Sequence, residues 1–110
     1  MVDMNKKDEV IKKKILREID DINKFIDKIT EEDFYKDSKT QKAVIMSLIN
    51  IGELSKSFSD DFIDSNEKIP WKKIRAMRNV AAHKYEAIDM QIVWDTIHVS
   101  VVELKNKLPV

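Results

Sequence analysis

Cysteine is absent from this chain, which excludes disulfides, thiol nucleophiles and cysteine-based zinc sites and suits a reducing cytoplasm. Glycine occurs once, at Gly52, and proline twice, at Pro70 and Pro109. So few turn formers leave little room for tight hairpins or a glycine-rich phosphate loop, and they favour an all-α fold. No apolar run approaches the ~20 residues of a membrane span, and Met1–Val10 lacks the apolar stretch of a secretory signal. The expectation is a soluble, cytoplasmic protein with no membrane partner. Lys and Arg total 20 and Asp and Glu total 20, whereas a general nucleic-acid coat is basic throughout; any polyanion site must therefore be local. At 110 residues the chain forms one domain, 1–110, able to bury roughly two thirds of its unfolded surface.

What is present is helical periodicity. Ile11, Ile15, Ile19, Ile22, Ile26 and Ile29 recur at spacings of four and three, one face of a first helix. The charges between them, including Lys12 to Lys14, read as a solvated face. Thr30–Asp37 breaks the period, and Ser38 with Gln41 predicts a capping-box start to a second helix. Its core face carries Val44, Leu48, Ile51 and Phe58, and Gly52 inside it implies that another element approaches the backbone closely. Ser59–Glu67 reads as an acidic loop with Phe62 and Ile63 tucked inward. Pro70 suits the first position of a third helix, buried through Ile74, Met77 and Ala81. Tyr85–Ile88 reads as a break, and Asp89 as the N-cap of a last helix bearing Met90, Trp94, Ile97, Val101, Leu104 and Leu108. Four amphipathic helices with short connections make an up-down four-helix bundle the economical architecture.

One stretch breaks the balance of charge. Between Lys68 and Tyr85 stand six cations, Lys68, Lys72, Lys73, Arg75, Arg78 and Lys84, with no carboxylate. A regular helix through this stretch places Arg75, Asn79 and His83 on one face, with Arg78 about 100° round from Asn79. Imidazole can move a proton near neutrality, guanidinium can stabilise a developing phosphorane anion, and an amide can orient the attacking group. No metal ligands accompany them, so no metal or other cofactor is expected. Metal-free phosphodiester cleavage favours RNA, whose 2′-OH is an internal nucleophile. On spacing alone, a lone helical His83 is more often a surface or core residue, Arg75 and Lys72 a solvated face, and Tyr85 a packing aromatic with a bonded hydroxyl. His98, beside the core stripe, reads as structural.

The segment RNVAAHKY, Arg78 to Tyr85, resembles the Arg-x4-His-x-Tyr signature of the HepT-like ribonuclease toxins of the HEPN superfamily, the toxins of type VII toxin–antitoxin systems. The similarity extends to IGEL at Ile51–Leu54, IPW at Ile69–Trp71 and IVWDTI at Ile92–Ile97, and the signature itself shows no departure. The resemblance implies a dimeric HEPN-like helical bundle acting as a metal-independent endoribonuclease on single-stranded RNA. It implies that Arg78 and His83 are catalytic, with Asn79 a supporting polar residue. It also implies a nucleotidyltransferase (MNT-domain) antitoxin that transfers AMP to Tyr85. Arg75 enters as a supporting cation from the helical reading. A homodimer is further expected because each chain offers one plausible imidazole for a reaction needing both acid and base. Two other classes stay open: a non-catalytic HEPN partner of a nucleotidyltransferase, indifferent to loss of His83, and a helical interaction protein, indifferent to Arg78 as well.

Overall fold

A computed structural model describes residues 5–82 and 85–109, the side chains at 80–82 excepted. The described residues are helical and contain no strand, as the turn-poor composition requires. Helix α1 (Lys6–Phe25) begins at Asn5, whose side chain accepts from the Asp8 amide at 2.7 Å. Ile11, Ile15, Ile19 and Ile22 are all buried, each such side chain contributing about 2 kcal/mol by leaving water.

The connection after α1 is not the irregular break expected. Thr30 and Asp33 form a reciprocal capping box, which starts a short helix α2 (Glu31–Lys36) that buries Phe34. Helix α3 (Ser38–Ser55) then starts one residue earlier than predicted. Its cap is Asp37, which accepts from the Thr40 amide and hydroxyl, while the Gln41 side chain is used elsewhere. The predicted Ser38–Gln41 box is therefore not formed. Val44, Leu48 and Ile51 are buried as expected, and Phe58 beyond the helix end joins them.

The acidic stretch after α3 is likewise a helix, α4 (Asp60–Ser65), capped by Ser59. Two acidic residues in its first turn suit a helix N-terminus, and Phe62 is buried as expected. Pro70 occupies the cap position of α5 (Trp71–Ala76), one place before its predicted site. From Met77 to Ala82 the chain tightens into a 3-10 helix, and Tyr85–Ala87 form a further 3-10 turn. Asp89 caps α6 (Met90–Asp95) as predicted, accepting from the Gln91 amide. A π-helical turn (Thr96–Ser100) leads into α7 (Val101–Lys107).

Chain direction follows from the cross-links. Asp8 pairs with Ser59 and Glu18 with Asn50, so α1 and α3 are antiparallel. Arg78 meets α3 at Gly52 and Tyr85 meets it at Gln41, so the α5 to 3-10 segment also runs antiparallel to α3. Buried residues from α1, α3, α5, α6 and α7 form one core.

Candidate nucleic-acid interface

The cationic segment is held from its buried side. Trp71 donates its indole N–H to the Asn66 carbonyl at 3.0 Å and packs edge-on to Phe58 and Phe62, at ring distances of 5.5 and 6.0 Å. Ile74 is fully buried and Met77 nearly so. With that side committed to the core, Lys72, Arg75, Arg78 and Asn79 are left exposed.

Of the expected face of Arg75, Asn79 and His83, the first two lie together. Residues three apart share a face both in the α-helix to Ala76 and in the 3-10 helix from Met77, so the cations line up as Lys72, Arg75 and Arg78, with Ala76 and Asn79 beside them. These five residues line one open groove of about 330 Å³. Arg75, Arg78 and Asn79 are therefore brought together as expected, and Lys72 joins them. His83 and Lys84 lie outside the described residues.

The switch coincides with a close approach to α3. A Cβ built on Gly52 would lie 2.6 Å from the Arg78 nitrogen and 2.9 Å from its Cβ. This is the close approach that a glycine within a helix implied. It fixes the Arg78 backbone against a rigid helix while its guanidinium reaches outward.

That guanidinium has a carboxylate neighbour which the local sequence could not show. Arg78 Nη1 lies 3.6 Å from Glu53 Oε1, and the other Glu53 oxygen lies 3.5 Å from Lys56 Nζ. With side chains 43% and 54% exposed, the Arg78 pair is a surface contact that solvent and salt weaken. A phosphate can replace it. Beyond Glu53 a second groove of about 460 Å³ carries Lys14 and Arg17 but also Glu18 and Glu53. Its charges offset, so the groove suited to an anion is the one at 72–79.

Tyr85 has the bonded hydroxyl that its residue type alone suggested. Half-buried, it donates to the Gln41 side-chain oxygen, and Lys42 Nζ stands 5.1 Å from its ring centre. His98 is exposed, with Nδ1 2.8 Å from the Trp94 carbonyl and its ring 4.0 Å from the Trp94 ring. Because a carbonyl only accepts, Nδ1 carries the proton. Among the described residues, no group of three or more His, Cys, Asp or Glu is placed to hold a metal ion. No described helix is long and apolar enough to cross a membrane.

Lys72, Glu53 and Gln41 are the residues that sequence reasoning left out of the site. The available signal was Gly52: an element close enough to require glycine must also lie beside Glu53.

A family described as "Ribonuclease HepT-like" matches residues 15–110. A Methanocaldococcus jannaschii protein provisionally named as an RNase is 42% identical over 76% of this chain and 69% of its own length. A Thermococcus cleftensis protein named "Probable ribonuclease HepT" is 39% identical over 84% of each chain. A Caldanaerobacter subterraneus protein, also provisionally an RNase, is 34% identical over 86% of this chain and 84% of its own. No solved structure matches.

Proposed function

The chain belongs to the HepT-like ribonuclease family, and from that premise we propose that it is a metal-independent endoribonuclease toxin acting on single-stranded RNA. The observation that carries this reading is the groove in which Lys72, Arg75, Arg78 and Asn79 converge without a carboxylate among its lining residues. Such a surface suits a phosphodiester backbone.

In this reading His83 takes the proton from a ribose 2′-OH as that oxygen bonds to the adjacent phosphorus. Arg78 neutralises the pentavalent anion, and Asn79 and Arg75 hold the flanking phosphate. The bond from phosphorus to the 5′-oxygen breaks, leaving a 2′,3′-cyclic phosphate, and the departing oxygen takes a proton from a second imidazole. A second copy of the chain supplies that imidazole, so the active form is a homodimer of HEPN-type four-helix bundles. A nucleotidyltransferase antitoxin silences it: the Tyr85 oxygen bonds to the α-phosphorus of ATP, pyrophosphate leaves, and the phenolic proton passes to solvent.

Cleavage is tested by incubating purified protein with single-stranded RNA in chelator. The expected products carry cyclic phosphate and 5′-OH ends; 3′-OH ends or strict dependence on Mg²⁺ would overturn the mechanism. In cells, induction of the wild type should arrest growth and His83→Ala should not. Equal toxicity of the two would favour a non-catalytic binding partner. Tyr85→Phe should keep part of its RNA cleavage, at a lower kcat, and lose no more of it when the partner is present.

A further inference from the structure

At the far end of the cationic segment, Tyr85 packs against the core and bonds a buried amide. Gln41 is 6% exposed. Its nitrogen donates to the Phe34 carbonyl at 2.8 Å, and its oxygen accepts from the Tyr85 hydroxyl. The Phe34 carbonyl also accepts the Asp37 amide at 3.3 Å, closing α2. Since a carbonyl can only accept, the Gln41 nitrogen must face Phe34 and its oxygen must face Tyr85. The amide cannot turn over without opposing two oxygens. Tyr85 is thereby fixed as the donor.

The two attachments of the segment to α3 are well separated. Arg78 packs on Gly52 and Tyr85 bonds Gln41, which are eleven positions apart and so about 16 Å along the helix axis. A group placed on the Tyr85 oxygen therefore sits at the opposite end of the segment from Arg78. It can act on the groove by releasing the segment rather than by pairing with the arginine.

We infer that Gln41 is a positioning residue that holds the 77–88 segment through the Tyr85 hydroxyl, and that the bond reports whether this oxygen carries hydrogen or an O-linked phosphoryl or nucleotidyl group. Substitution on oxygen removes the only donor on Tyr85 that Gln41 can use. A buried acceptor without a donor is unfavourable, so the amide and the tyrosine separate. Lys42, already beside the ring, supplies the counter-charge for the incoming phosphate. The attachment itself follows from the structure alone; its role in silencing rests on the ribonuclease reading above.

Hydrogen exchange on the full-length protein separates the two parts. Gln41→Met, close in volume, and Tyr85→Phe, which keeps the ring, should each raise exchange of the amides at 77–79 and 86–88 about fivefold, the effect of the one Gln41–Tyr85 hydrogen bond that both lose; Gln41→Met also loses the bond to the Phe34 carbonyl, which bears on α2. The double variant should go no further, and exchange in α1 should not change. RNA cleavage should follow in kcat with KM held, because the groove's cations remain. Protein carrying AMP on Tyr85 should exchange like Gln41→Met. Additive effects in the double variant, or unchanged exchange in Tyr85→Phe, would overturn the attachment. An AMP-carrying protein that exchanges like the unmodified one would overturn the silencing role. If no variant and no wild type cleaves RNA, the ribonuclease reading fails while the exchange result stands.

Discussion

The backbone nitrogen of Arg78 lies 2.6 Å from where a Cβ on Gly52 would stand. An alanine at this position would gain helix propensity, about 1 kcal/mol, but its methyl group would meet backbone rather than a flexible side-chain end. The segment would have to move, and overpacking of this kind costs roughly 1–3 kcal/mol. Gly52→Ala should therefore lower the urea midpoint modestly and lower RNA cleavage more, because the displaced residue is Arg78. Unchanged cleavage with unchanged stability would show that the two backbones do not press on each other.

Replacing Arg78 separates charge from shape. Lysine keeps the charge but loses the planar fork that meets two phosphate oxygens. Loss of one such transition-state donor typically costs ~10²–10³ in kcat. Arg78→Ala should reach that range and Arg78→Lys should recover only part of it, measured as single-turnover cleavage of a short RNA. Both should leave thermal stability nearly unchanged, since the Glu53 pair is exposed and such pairs contribute little.

Glu53 competes with the substrate for the same guanidinium. Glu53→Gln should tighten RNA binding at low salt and steepen its salt dependence, because one more cation becomes available to displace counterions. Fluorescence anisotropy across a salt series reads both effects. Weaker binding would instead assign Glu53 a role in holding Arg78 in place.

Asp8 is 2% exposed and accepts from both the Ser59 amide and hydroxyl, at 2.8 and 2.6 Å. It thus joins the start of α1 to the cap of α4. Asp8→Ala should destabilise by about 2–3 kcal/mol, since hydrogen bonds to charged groups are strong and Ser59 would lose its partner. Denaturant unfolding checks this, and RNA cleavage below the unfolding range should persist.

Acid sensitivity has a named contributor at the start of α3. The Thr40 hydroxyl, and then its amide, hold the Asp37 carboxyl below its ordinary range. A depressed native pKa means that the charged form is favoured by folding. The contribution is complete above the unfolded pKa and is lost as pH falls through the folded one. Stability should fall on acidification below the usual carboxylate range, and Asp37→Asn should flatten that part of the curve in urea midpoints taken against pH.

Some of this was readable in the residues themselves. The isoleucine stripe of α1 and the Asp89 cap follow from local patterns, and each is found. The two short helices α2 and α4 lie where the sequence reads as a break and a loop. Six residues are too few for a hydrophobic period to show, so only their caps, Thr30 with Asp33 and Ser59, mark them. At the site, Arg75, Arg78 and Asn79 were legible because they are close in sequence. Glu53 and Gln41 were not, because each meets the segment only across α3.

The sequence by itself determined an all-helical chain, a local excess of positive charge, and a glycine that demands a close neighbour. These are properties of composition and spacing, which act over one or two turns. Tertiary structure decided the rest: that the segment tightens from α to 3-10 after Ala76 where it meets Gly52, that Glu53 faces Arg78, and that Tyr85 donates to a buried amide. Each depends on where α3 lies against the segment, a contact between residues far apart in the chain that no local pattern encodes.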